Sequence, residues 1–170
     1  MQDALDLERA GDLDGALGAY QQVLVEDPDD VGALSGAAVC LMLLQRFDEA
    51  LELQERVVAL DPGDALTRVE LGFNYLNHQE RADDAVRVMS EAAALESSAK
   101  NLTFLAQAQA ATGDLAGAED TLRQAIETDP QYGYSYSQLA SLLEEQGRGD
   151  EARGVREEAA ALGIARTDAD

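Results

Sequence analysis

The 170-residue sequence is short of several things that usually announce a chemistry. It holds one cysteine, Cys40, one histidine, His78, and no tryptophan. A single cysteine excludes an intrachain disulfide framework and any cysteine-rich zinc site. A single histidine leaves every Ser-His-Asp arrangement dependent on His78. No apolar run approaches the roughly 20 residues that a spanning helix needs. The opening Met1-Gln2-Asp3 shows neither the basic stretch nor the apolar stretch of a secretory leader, so the expectation is a cytoplasmic location. Cations are scarce too: 12 Lys and Arg, with Lys100 the one lysine, stand against 34 acids, for a net charge of −22. That balance argues against nucleic acid as a partner, because phosphate binding needs a concentrated basic surface. Apolar residues nonetheless make up 46 % of the chain, which places it among folded proteins despite the charge.

Proline is rare, and its placement is the first positive signal. Pro28, Pro62 and Pro130 lie 34 and 68 residues apart, and 68 is twice 34. Gly11, Gly113 and Gly147 keep the same phase. So do Ala38, Gly72, Ala106 and Ala140, and likewise Ala16, Ala50, Ala118 and Ala152. A fixed period in this range marks a chain of stacked structural repeats.

Within each period the apolar residues fall at helical spacing on both sides of a short turn. Leu34, Ala37, Ala38 and Leu41 precede the turn at Gln45-Arg46, and Phe47, Ala50, Leu51, Val57 and Val58 follow it. Pro flanked by Asp ends the second helix and admits the next. Asp30, Asp64 and Ser98 are the expected N-caps of the helices that follow. The small columns predict close helix crossings, where Ala or Gly lets backbones approach. In the third unit the turn Asn77-His78-Gln79-Glu80-Arg81 is longer, which delays Ala85 by one residue; a shorter link at Glu96-Ser97-Ser98 restores the phase.

These units resemble tetratricopeptide repeats. The run Leu71-Gly72-Phe73-Asn74-Tyr75 reproduces the Leu-Gly-x-x-Tyr of that family. Gly113-Asp114-Leu115-Ala116-Gly117-Ala118, with Leu122, Ala125 and Pro130, matches its second-helix pattern. The resemblance implies an all-α, right-handed α-solenoid of about five helix-turn-helix repeats. The boundaries are about 1–30 (lacking the front of its first helix), 31–64, 65–98, 99–132 and 133–163. Residues 1–163 form one array, and 164–170 follow as a flexible tail.

Candidate catalytic and metal-binding groups are weak. His78 falls in a turn, and Cys40 lies on an apolar helix face, where a lone cysteine behaves as a small hydrophobe. The acidic turns at Asp12-Leu13-Asp14-Gly15 and Asp27-Pro28-Asp29-Asp30 do not continue into a calcium loop with its terminal Glu. Helix capping explains them better. Asn101-Leu102-Thr103 fits a glycosylation sequon but lies inside an expected helix. The expectation is a non-enzyme with no cofactor and no metal.

In the family the chain resembles, first helices line a concave groove that holds a peptide or a helix. Carried over by column, the groove here consists of Val39, Met42, Leu43, Leu66, Val69, Phe73, Leu76, Lys100, Phe104, Gln107 and Tyr134. Gly32 and Gly36, one turn apart, read as places for a close ligand backbone. The carboxylate clamp of the chaperone-binding members is not expected, because its Asn and Arg columns hold Val39, Glu70, Phe73 and Phe104. The expected function is a protein–protein interaction scaffold whose partner presents an apolar or amphipathic segment, with a monomer the favoured state. A regulatory or substrate-presenting domain of a larger enzyme, and a self-assembling scaffold, are the alternatives.

Overall fold

A computed structural model describes residues 2–77 and 81–164, and they form ten α-helices with no strand among them. In chain order these are α1 (Gln2–Arg9), α2 (Leu13–Glu26), α3 (Val31–Leu43), α4 (Phe47–Leu60) and α5 (Ala65–Asn77). They continue as α6 (Ala82–Leu95), α7 (Ala99–Ala111), α8 (Leu115–Thr128), α9 (Gly133–Glu145) and α10 (Gly149–Ala161). First helices of successive pairs start at Val31, Ala65, Ala99 and Gly133, an unbroken interval of 34. Second helices start at Phe47, Ala82 and Leu115, so α6 is one residue late and α8 regains the phase.

In the four pairs whose turn is fully described, that turn is built by one recurring device. Gly11, Gly113 and Gly147 have φ of +80°, +86° and +75°, and Gln45 takes the same place with φ +61°. In each turn this residue donates its N–H three residues back, and the next residue donates five back. Examples are Gly11 to Glu8 O (3.0 Å) with Asp12 to Leu7 O (3.0 Å), and Gln45 to Met42 O (3.0 Å) with Arg46 to Leu41 O (2.8 Å). This paired closure of a helix end needs a left-handed residue, which explains the glycine column.

The second helix then opens in one of two ways. Asp12 and Asp114 accept the N–H of Gly15 and Gly117, each at 3.0 Å. Where Arg stands in that column, an acid stands three residues on. Arg46 forks onto Glu49 (2.7 and 2.6 Å), Arg81 meets Asp84 (2.5 Å) and Arg148 meets Glu151 (2.7 Å). Between pairs, Asp30, Asp64 and Ser98 cap the following helices through the N–H groups of Ala33 (2.7 Å), Leu66 (2.9 Å) and Asn101 (3.2 Å). Three of the five acids in the two turns considered for calcium are thus used on backbone: Asp12 and Asp30 as caps, and Asp27 as acceptor for the Asp29 N–H at 3.2 Å.

The chain divides into two compact units, 1–67 and 68–170, with the division inside α5. The core of the first packs Ala4, Ala16, Tyr20, Ala37, Cys40 and Ala50 together. The core at the C-terminal end of the second joins Ala106, Leu122, Tyr136, Leu139, Leu143 and Ala152. Ala4, Ala38, Ala106 and Ala140 of one small column, and Ala16, Ala50, Ala118 and Ala152 of the other, are all buried. Ala85, one residue late, is buried with them. Helix α10 closes at Gly163 (φ +75°). Ile164, expected to open the tail, instead packs on the second core, its Cγ2 filling the space where a Gly133 side chain would be. Residues 165–170 and His78 lie outside the described residues.

Candidate functional site

The eleven groove positions fall partly in each unit, and each unit is taken by itself. In the first unit α3 presents Val39 and Leu43 at 45 % and 60 % exposure, and Leu66 opens α5 at 56 %. Met42 is half-buried against the first core, so it supports the helix pair from within. Gly36 is no seat for a ligand backbone: the ring of Tyr20 occupies the space its side chain would take. That close approach is the physical reason for glycine there.

The second unit holds the more developed surface. Phe73 of α5 meets Phe104 of α7 edge-on, with ring centroids 4.9 Å apart and an interplanar angle of 75°. Phe104 reaches Tyr134 of α9 at 6.5 Å, and Tyr134 reaches Tyr132 at 6.2 Å. These separations and tilts suit the aromatic quadrupole. The ammonium of Lys100 lies 5.8 Å from the Phe104 centroid, within cation–π range. Gln107 crosses from α7 to α9, donating Nε2–H to Tyr134 Oη at 2.6 Å and to Gln138 Oε1 at 3.0 Å. All six side chains other than the exposed Lys100 are half-buried: Phe73, Phe104, Gln107, Tyr132, Tyr134 and Gln138. Leu76, also half-buried, lies on α5 beyond Phe73.

Val69 is a correction to the sequence reading. It is 4 % exposed, one turn from buried Ala65 and from buried Gly72, so it belongs to the packed face of α5. The 3.6-residue period places a column on a helix only to within a residue or so of its boundary, and Val69 falls on the inner side.

Beneath the aromatic row, buried hydroxyls tie α7 to α9. Thr103 donates to Ala99 O at 2.7 Å, which leaves Ser135 as the donor in the 2.8 Å contact between their hydroxyl oxygens. This pair did not figure among the sequence candidates, since Ser and Thr inside a helix carry no periodic signal. Asn101 and Thr103 of the sequon are both buried, and the Asn101 amide donates to Glu96 O at 2.9 Å.

Next to Gln107 and Gln138 the helices α7, α8 and α9 leave a cleft of about 80 Å³. Its floor includes Ala106, Ala118 and Leu122, and its rim Gln107, Gln138, Ser141 and Glu145. Glu144, beside Glu145 in sequence, instead pairs with Arg156 at 2.6 Å. Every described arginine is likewise paired with a carboxylate. Lys100 has no carboxylate partner among the described residues.

Cys40 is buried in the first core, and burial, with the Glu8 charge second, pushes its thiol above the ordinary range. A thiol so placed is a poor nucleophile.

Helix pairs that recur at an interval of 34 residues, a left-handed closure between the two helices of a pair and small residues at their crossings define a class: an α-helical repeat protein of the solenoid type. The Tetratricopeptide repeat family profile matches residues 2–65, 78–133 and 105–168, and the chain belongs to that family. Its members are generally non-catalytic scaffolds for protein–protein interaction. Among solved structures the chain is similar to MamA, at 25 % identity and a TM-score of 0.76, covering 95 % of this chain and 94 % of that one. It is similar to TTC0263, a thermophilic TPR protein of Thermus thermophilus, at 26 % identity and a TM-score of 0.65, with 97 % and 89 % covered. It also matches YrrB, at 19 % identity and a TM-score of 0.71, with 97 % and 84 % covered, which supports the shared fold. No curated protein matches the sequence at a significant level. Among the described residues no helix is long and apolar enough to cross a membrane.

Proposed function

We propose that this protein is an interaction scaffold that binds a peptide or an amphipathic helix on the first-helix face of its repeats, with the aromatic row of the second unit as the principal contact. The observation that carries this reading is the row itself. Phe73, Phe104 and Tyr134 come from three successive first helices, touch in sequence and stay half-buried, with a glutamine bridge and a lysine alongside. Aromatic side chains with one face open and rotamers held by their neighbours are the usual energetic centres of protein interfaces. Exposed Val39 and Leu43 of the first unit offer a second apolar contact of the same kind. YrrB is described as having an unusual peptide-binding site, which lends support to a peptide as ligand.

The test is selection of peptides from a random display library against the folded chain, followed by fluorescence titration. Selected peptides share apolar or aromatic anchors, and Phe104→Ala weakens them by about tenfold or more, equivalent to about 1.4 kcal/mol. The melting temperature of the variant is measured in parallel to separate lost contact from lost folding. Peptides that bind equally well to Phe104→Ala and to Tyr134→Ala variants overturn the reading.

A further inference from the structure

We infer that the cleft between α7, α8 and α9 is a seat for one cationic side chain, a lysine or an arginine, of the bound partner. The inference rests on the interaction reading above and adds the chemistry of one subsite to it. Three observations converge on it. The floor of the cleft is aliphatic, from Ala106, Ala118 and Leu122, and its volume of about 80 Å³ suits an unbranched stem. Long cationic side chains bury such a stem against apolar surface while the charged head stays at the rim. The one charged group in the lining is the Glu145 carboxylate, at that rim.

The third observation is where the chain's own cations go. Glu144 is neutralised by Arg156, whereas Glu145 has no ion-pair partner among the described residues. All described arginines are committed to carboxylates of their own repeat or the preceding one. In a chain of net charge −22, with its described arginines already paired, none of them competes with an incoming cation for Glu145. The surrounding field draws a cationic segment in, and the cleft gives one of its side chains a fixed place. Ser141 and the Gln138 amide at the rim supply neutral hydrogen-bonding groups for the head.

The test uses the smallest mimics of the two side chains, n-butylammonium and n-propylguanidinium, titrated into the full chain and followed by amide NMR shifts. An uncharged n-pentanol titration runs beside them. The cations are expected to bind in the millimolar range, with shifts concentrated at Gln107, Gln138, Ser141 and Glu145, and more tightly than pentanol. Glu145→Gln is expected to weaken them about fivefold, the scale of one exposed ion pair. Glu127→Gln, which removes the same charge from an exposed position of α8 away from the cleft, is expected to leave them unchanged. Equal binding of pentanol, or equal losses in the two variants, overturns the cation seat while leaving the peptide reading to its own experiment. Absence of any shift in the cleft overturns it as well.

Discussion

The ring of Tyr20 in α2 fills the space that a side chain on Gly36 of α3 would need. Helix propensity alone says that Gly36→Ala should stabilise α3 by about 1 kcal/mol. The packing says the opposite, because a methyl group there drives into a fully buried ring that is fixed at its far end by a 2.8 Å hydrogen bond to Glu8. Overpacking of this kind costs about 1–3 kcal/mol. Gly36→Ala is therefore expected to lower the urea midpoint of the first unit, and a raised midpoint would refute the packing account.

Gln45 holds the left-handed turn position that glycine holds at 11, 113 and 147. A non-glycine residue there costs about 1–2 kcal/mol, partly offset by the entropy glycine loses on folding. Gln45 is exposed, so its side chain has little packing to lose. Gln45→Gly is expected to stabilise the first unit by about 0.5–1 kcal/mol, measurable by thermal denaturation. No gain would mean that the Gln45 side chain contributes what its backbone costs.

The period of 34, the helix pairs, the small crossing columns and even the late start of α6 were legible in the sequence. Each is a one-dimensional consequence of packing: a crossing needs a small residue wherever it recurs, so Ala16, Ala50, Ala118 and Ala152 line up. The site was legible only in part. Phe73, Phe104, Gln107 and Tyr134 follow from the first-helix column, but spacing does not show which side chains reach one another. Gln107 bridging to Tyr134 and Gln138 depends on distances between helices, and so does the cleft at Glu145. Val69 and Gly36 were misread for the same reason. A column places a residue on a helix face, while its burial is decided by the neighbour that packs there, Tyr20 in the case of Gly36.

Glu119 of α8 accepts from Arg148 and Arg123, and these hydrogen bonds hold its carboxyl below the ordinary value near 4.5. Its side chain is 16 % exposed, so solvent screens the pairs only in part. A carboxyl whose folded value is depressed contributes stability above its unfolded value and loses it as the pH falls through the folded one. Glu119→Gln is expected to cost about 1 kcal/mol at pH 7. The deficit should shrink below about pH 4.5, where the unfolded carboxyl takes up its proton ahead of the native one, and level off once the native carboxyl is protonated too. Denaturation curves from pH 7 to pH 3 check this, and a deficit independent of pH would show that the hydrogen bonds and not the charge matter.

Cys40 offers a direct probe of the first core. Its thiol is buried and shifted upward, first by burial and then by Glu8. Reaction with a thiol reagent at pH 8 is expected to be far slower in the native chain than in urea, and its rate should rise with Gly36→Ala. Rapid native labelling would place the thiol at the surface.

The two ways of opening a second helix are alternatives, not independent choices. Asp114 accepts the Gly117 N–H at 3.0 Å, and a side chain at 117 would run into its carboxylate. Arg148 in the same column instead pairs with Glu151. Asp114→Arg alone removes a cap worth about 1 kcal/mol and brings a cation to a helix N-terminus. Gly117→Glu alone adds both a clash and a like charge beside Asp114. Combined, the two substitutions rebuild the arginine–acid arrangement found at Arg46 and Arg148, so the double variant should be more stable than the single losses add up to, by about 0.5–1 kcal/mol. A double-mutant cycle by chemical denaturation measures that coupling. Strict additivity would mean that the recurring pairs arise from each column separately and not from contact between them.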